Sequence, residues 1–166
     1  MLKVIENFLS KEECLNIIDS NNLGLKEASH NNINIRKSLS KLINITFIES
    51  KLTEEAIKLN SNIIFDNKFE FIKYGIDDHF AWHDDVIRGK ATREILTGVI
   101  FLNENFEGGE LLVKERNNTK KIISKTGNLC LFSSKFLHKV TKVIKGERYS
   151  LCCWFYHKQS LFKKFI

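Results

Sequence analysis

From residue 69 onward the chain reads as a succession of short β-type runs, at 69–74, 95–102, 110–113, 120–123, 128–132, 139–143 and 148–156. Gly75, Gly89, Gly108, Gly109, Gly127 and Gly146 punctuate them. Runs this short, separated by turn residues and without helical crossovers, predict antiparallel strands, because parallel neighbours need connections of about a dozen residues or more. Many short strands must also hide their edges and bury one face. A double-sheet jelly roll does both.

The residues before this region have a different character. Ser10-Lys11-Glu12-Glu13 forms a capping box, in which the Ser10 hydroxyl accepts from the Glu13 amide while the Glu13 carboxylate reaches back. It predicts a helix running to about Ile18, with Cys14, Leu15 and Ile18 as its buried stripe. A second helix is predicted near Thr53, with Glu54 and Glu55 in the first turn, where the helix dipole favours them, and Ala56, Ile57, Ile63 and Ile64 as its apolar positions. The asparagine-rich connector around Asn21, Asn22, Asn31 and Asn32 reads as loop. Helices first and strands afterwards imply an α+β class, mainly β with flanking helices. The core expected is a double-stranded β-helix, a cupin-like jelly roll, over about 69–158, with a helical part over about 1–68 on one outer face. No repeat or linker divides residues 1–166, so a single domain is expected.

Composition narrows the function classes. A chain of 166 residues that is 43% hydrophobic and 28% charged has enough apolar material for one real core. No stretch approaches the roughly 18 uninterrupted apolar residues of a membrane span, and the opening residues lack the pattern of a signal peptide. The expectation is a soluble cytoplasmic protein with no membrane partner. The net charge of +6 is dispersed, with only short pairs such as Lys120-Lys121 and Lys163-Lys164, which reads as a solvated surface rather than a nucleic-acid site. Cys14, Cys130, Cys152 and Cys153 include no C-x-x-C. Adjacent Cys152 and Cys153 would point to opposite faces of a strand, so reduced, buried thiols are expected.

The chemistry starts at His83-Asp84-Asp85. On a strand, His83 and Asp85 project from the same face and can reach one ion, while Asp84 points away. An H-x-D alone is weak, because short motifs recur by chance. His138, in Phe136-Leu137-His138-Lys139-Val140, opens a β-type run and supplies a candidate third ligand from a neighbouring strand. Two imidazoles and one carboxylate leave open positions on an octahedral ion, the arrangement of non-haem Fe(II) oxygenases, whereas zinc prefers a near-tetrahedral site. Arg148 opens the last apolar run, and its guanidinium fork suits the distal carboxylate of a keto acid. His79 and His83 are four apart, as in a zinc pair, but Phe80 stands where a zincin needs its glutamate. His30 and His157 have no such support.

The chain resembles the prolyl 4-hydroxylase-like Fe(II)/2-oxoglutarate dioxygenases. The likeness runs through Tyr74 ahead of the H-x-D, Leu96-Thr97-Gly98-Val99-Ile100-Phe101-Leu102-Asn103, Phe106-Glu107-Gly108-Gly109-Glu110-Leu111, Gly127-Asn128-Leu129-Cys130-Leu131-Phe132, His138-Lys139-Val140, and Gly146-Glu147-Arg148-Tyr149-Ser150-Leu151 through Trp154. It also takes in the opening Ile5-Glu6-Asn7-Phe8-Leu9-Ser10. The resemblance implies that His83, Asp85 and His138 ligate iron and that Arg148 pairs with the distal carboxylate of 2-oxoglutarate. It further implies that Tyr74 hydrogen-bonds the cosubstrate and that Trp154 walls the pocket. Where some relatives carry a second carboxylate-binding residue, a tyrosine, this chain has Phe101, and Thr97 is the candidate substitute. The implied reaction consumes 2-oxoglutarate and O₂, releases succinate and CO₂ and hydroxylates a C–H bond, with ascorbate as a candidate reductant.

The implied substrate is a protein or peptide side chain, most simply proline, with a free amino acid or other small molecule as the alternative. Nucleic-acid demethylases of the superfamily add an arginine close after the cosubstrate arginine, and residues 149–156 contain none. A non-catalytic metal-binding module is the reading from another class. On residue type alone, Tyr74 and Trp154 also suit plain core positions, and Gly108-Gly109 a turn. The polar, glycine-hinged stretch 86–93 reads as a substrate-covering loop.

Overall fold

The computed structural model describes residues 1–28, 34–86 and 94–157. Alternation along the strands sets the architecture. In β14 (Arg148–His157), Tyr149, Leu151, Cys153 and Phe155 belong to one apolar cluster, while Arg148, Ser150, Cys152 and Trp154 face a cavity on the other side. The same division runs through β5 (Ile63–Tyr74), β7 (Glu94–Phe101) and β11 (Leu129–Ser133). Phe69, Phe71, Leu96, Ile100, Leu129 and Leu131 face the helices, and Ile72, Tyr74, Val99, Phe101, Cys130 and Phe132 face the second sheet. A period of two on both faces is what a sheet covered on both sides requires.

These four strands form the centre of a seven-stranded sheet of order β1-β11-β7-β14-β5-β4-β2, completed by β1 (Leu2–Ile5), β2 (Lys26–Glu27) and β4 (Leu39–Ile43). The opposing sheet has the order β10-β9-β12-β6-β3, from β3 (Arg36–Lys37), β6 (His79–His83), β9 (Leu111–Glu115), β10 (Asn118–Ile122) and β12 (His138–Val140). A small ribbon pairs β8 (Glu107–Gly108) with β13 (Val143–Lys145). Every ladder is antiparallel. This is the expected mainly-β jelly roll, with Leu111, Val113, Ile122 and Val140 closing the core between the sheets.

The first 68 residues hold more than helices, since β1 to β4 and the start of β5 lie within them and extend both sheets. A run of two to five residues at a sheet edge carries too little periodicity to be read without its partner strand. Helix α1 (Lys11–Asn21) has the expected capping box at Ser10 and Glu13. Its buried stripe is Cys14 and Ile17, with Ile18 half-buried, whereas Leu15 is 57% exposed. The bond from the Leu9 amide to the Gly127 carbonyl fixes how the chain enters this helix and so which side meets the sheet. At Gly127 (φ +83) an added Cβ would stand 2.0 Å from the Leu9 carbonyl oxygen, so only glycine permits that approach.

Helix α2 (Glu49–Ile57) follows a 3-10 turn at Thr46–Ile48 and begins earlier than the sequence predicts. Glu54 and Glu55 therefore lie in its second half. Leu52 and Ala56 make its buried stripe, continued by Ile48 of the 3-10 turn, and Ile63 and Ile64 open β5. Burying side chains such as Leu52, Phe69, Phe71 and Phe155 against one another contributes roughly 1.5–3 kcal/mol each. The four cysteines are free, with Cys14, Cys130 and Cys153 buried and Cys152 half-buried. Among the described residues no helix is long and apolar enough to cross a membrane.

Candidate active site

The site begins with cross-strand register. His138 lies directly opposite His83 in the antiparallel β12–β6 pair, and facing positions hold their Cβ atoms about 5 Å apart. Asp85 follows β6 by two residues, and its amide donates to the Ser134 carbonyl at 2.9 Å, which ties this end of one sheet to the other. The ligand atoms of His83, Asp85 and His138 all lie within 4.8 Å of one another. His83 Nε2 is 3.6 Å from Asp85 Oδ1 and His138 Nε2 is 3.5 Å from Oδ2, too far for direct hydrogen bonds and suited to a shared ion.

The surroundings fix which atoms face that ion. His83 Nδ1 is 2.8 Å from the Ala81 carbonyl, and His138 Nδ1 is 3.0 Å from the Phe136 carbonyl. A carbonyl can only accept, so each ring carries its hydrogen on Nδ1 and turns the Nε2 lone pair inward, the usual support for metal-binding imidazoles. Burial, and then the neighbouring His138, push the His83 pKa down to about 4, which keeps the ring neutral and available as a ligand. Asp85 Oδ2 accepts from the Thr97 hydroxyl at 2.7 Å and from the Trp154 indole N–H at 3.0 Å. With both donors on Oδ2, Oδ1 is the oxygen left to offer an electron pair to a metal.

A cavity of about 490 Å³ opens around these residues and is lined by His83, Asp85, Thr97, His138, Arg148 and Trp154, with Tyr74, Ser150 and Cys152 also on its wall. Arg148 is 1% exposed and lies over the rings of Tyr74 and Phe101, 5.1 and 5.6 Å from their centroids. Its Nη1 donates to Ser150 Oγ at 3.0 Å, and its buried Nε has no partner. Among the described residues no carboxylate pairs with it. Burial pulls its pKa below the ordinary arginine value, the mark of a cation whose counter-ion is not supplied by the fold. Gly109 (φ +59) lets the backbone pack against this side chain, since an added Cβ would meet Arg148 Cδ at 3.0 Å. The Gly108-Gly109 pair is a turn that also abuts the cavity arginine.

The geometry corrects one sequence expectation and refines another. Thr97 does not stand in for the hydroxyl that Phe101 lacks. It lies opposite Trp154 in the β7–β14 ladder, at the metal end, and its hydroxyl is committed to Asp85 and to Ser134 Oγ at 2.9 Å. The hydroxyl beside Arg148 belongs to Ser150, two residues along the same strand face, a spacing visible in the sequence once β14 is taken as a strand. Trp154 lines the cavity and also supports Asp85. Tyr74 sits against Arg148, and burial pushes its phenol pKa up, so it remains a hydrogen-bond donor.

Asp84 turns aside and accepts from the Val86 amide at 3.2 Å. His79 faces the Asp77 and Asn34 carbonyls rather than the cluster, which removes the zinc-pair alternative. Of the stretch 86–93 read as a substrate-covering loop, residues 87–93 lie outside the described residues, as does His30.

Residues 69–156 match the family model of the 2OG-Fe(II) oxygenase superfamily. The chain belongs to this superfamily. Its defining chemistry, Fe(II) with 2-oxoglutarate and O₂, fits a cavity that pairs a His-Asp-His cluster with a buried, uncompensated arginine. Among curated relatives, a PKHD-type hydroxylase of Prochlorococcus marinus is 31% identical over 140 residues, 81% of this chain and 58% of that protein. One from Shewanella oneidensis is 37% identical over 90 residues, 51% of this chain and 40% of that protein. The chain thus spans about half the length of the relatives it matches, or less. A Pseudomonas putida prolyl-4-hydroxylase superposes with a TM-score of 0.79 at 19% identity over 94% of this chain and 92% of its own. A Trichoplax adhaerens prolyl hydroxylase, in complex with a hypoxia inducible factor peptide fragment, gives 0.77 at 19% identity over 96% and 84%. At that identity the likeness establishes a shared fold.

Proposed function

We propose that this chain acts as an Fe(II)- and 2-oxoglutarate-dependent hydroxylase of a protein or peptide side chain, prolyl in the first instance. His83, His138 and Asp85 would hold the iron through Nε2, Nε2 and Oδ1. Arg148 would pair with the distal carboxylate of 2-oxoglutarate, beside the Ser150 and Tyr74 hydroxyls. The observation that carries this reading is Arg148, a guanidinium buried without a counter-ion in the same cavity as three convergent ligand atoms. A buried unpaired cation is costly, and an anion of fixed length anchored at the metal end would relieve that cost.

Each group has a defined task. Bound iron supplies the activation of O₂ that couples conversion of 2-oxoglutarate to succinate and CO₂ with insertion of one oxygen atom into a substrate C–H bond. Thr97 and Trp154 hold Asp85 in one orientation, and the Ala81 and Phe136 carbonyls hold the two imidazoles. Val99, Leu111 and Val140 form apolar wall around the cosubstrate end and exclude water there. The fold shared with a prolyl-4-hydroxylase and a prolyl hydroxylase favours a prolyl substrate.

Anaerobic addition of Fe(II) and then 2-oxoglutarate is expected to produce a weak visible charge-transfer band. Chelator should abolish it, and His83→Ala and His138→Ala should lack it. Aerobic incubation with proline-containing peptides should yield a one-oxygen mass gain in step with succinate. A wild-type protein that folds but gives no band refutes the proposal.

A further inference from the structure

Two arginines line this one cavity, and their electrostatic settings are opposite. Among the described residues Arg148 has no acid paired with it. Arg36, on β3, is ion-paired through Nη2 to Glu70 Oε1 at 2.8 Å and donates from Nε to Ser38 Oγ at 3.0 Å, with the two charged side chains only 8% and 14% exposed. Burial works against the charge on Arg36, but the neighbouring Glu70 and Tyr74 outweigh it and leave the pKa raised. These two hydrogen bonds use Nε and Nη2 and leave Nη1 as the guanidinium nitrogen that neither engages.

Its position is fixed by stacking. The Arg36 guanidinium lies 4.9 Å from the centroid of the Phe80 ring, and Phe80 stacks on His83 at 3.5 Å with 13° between the planes. Arg36 therefore stands one aromatic layer behind His83, on the cavity wall and near the proposed iron position. A cation already neutralised by a buried carboxylate attracts a second carboxylate weakly, because the two anions would repel at short range. Its spare N–H groups can still donate to a neutral oxygen.

We propose that Arg36 is the substrate-side anchor of the cavity, donating from Nη1 to a neutral amide carbonyl of a peptide rather than to the free carboxylate of an amino acid. Glu70 is then the residue that keeps the two ends of the cavity distinct, leaving Arg148 as the anion-selecting end. This inference rests on the proposed hydroxylase reading and narrows its substrate to a chain flanked by amides.

Two arms test it. In the first, acetylated and amidated proline-containing peptides are compared with free L-proline for a one-oxygen mass gain coupled to succinate. The blocked peptides should react and free proline should not, and Arg36→Lys, which keeps a charge for Glu70 but loses the fork, should raise the peptide KM about tenfold without a matching rise in the 2-oxoglutarate KM. The second arm needs no known substrate. Glu70→Gln should make the cavity accept a second anion, read as inhibition of uncoupled turnover by excess 2-oxoglutarate at concentrations the wild type tolerates. Preference for free proline, or an unchanged peptide KM in Arg36→Lys, overturns the proposal. So does the absence of excess-cosubstrate inhibition in a folded Glu70→Gln protein. Because each arm is read on a wild type that shows the charge-transfer band, such a result would leave the iron and 2-oxoglutarate assignments standing.

Discussion

Replacing Arg148 with methionine should make the ligand-free protein more stable while removing its response to 2-oxoglutarate. Substitution of a buried arginine normally destabilises, through lost pairing. Here the side chain is 1% exposed, its Nε is unpartnered, and its one hydrogen bond among the described residues is to the Ser150 hydroxyl. Methionine has a similar reach and would pack on the same Tyr74 and Phe101 rings without a charge to desolvate. Exchanging poorly compensated buried charge for apolar volume gains roughly 1–4 kcal/mol, from which the hydrogen bond to Ser150 subtracts about 1 kcal/mol. For a chain of this size each kcal/mol moves Tm by about 2–4 °C, so a rise of several degrees is expected. Cosubstrate at about a hundred times its dissociation constant should stabilise the metal-loaded wild type by a further 2.7 kcal/mol or so, and the variant hardly at all. Thermal melts of both proteins, metal-loaded under anaerobic conditions with and without 2-oxoglutarate, give the four values required. An Arg148→Met protein that melts lower than wild type and keeps its ligand-induced shift would refute the assignment of Arg148 as the cosubstrate cation.

Further outcomes follow from the same geometry. Thr97→Val and Trp154→Phe each remove one donor from Asp85 Oδ2 and should weaken metal binding about ten- to a hundredfold with little change in the cosubstrate KM, measured by anaerobic metal titration. Gly109→Ala forces a left-handed backbone and presses a methyl on Arg148 Cδ, so it should lower Tm and raise the 2-oxoglutarate KM, whereas a turn with no contact to the site would change Tm alone. Ser10→Ala should cost about 1 kcal/mol in chemical denaturation through loss of the α1 cap, and the charge-transfer band should stay where it is.

Much of this protein was legible without coordinates, for local reasons. The capping box at Ser10 and Glu13 is a contact between residues three apart, and the period-two alternation of β14 is written in consecutive side chains. The H-x-D, His138 and Arg148 were legible as candidates because their order and spacing follow a family pattern. The strands β1 to β4 were not, since short edge strands owe their form to hydrogen bonds with distant partners such as β11 and β5. For the same reason the buried side of α1 turned to Ile17 and away from Leu15, a choice made by the sheet it packs on.

What the sequence determined by itself was the set of chemical groups and the strand periodicity that gives each a face. Tertiary structure alone decided their partners: that Thr97 serves Asp85 while Ser150 serves Arg148, and that Arg36 meets Glu70 and Phe80 in the same cavity. Those choices depend on which residues stand opposite one another across a ladder or a cavity. Register of that kind is fixed by long-range pairing and packing, and is not encoded in the local pattern of any one strand.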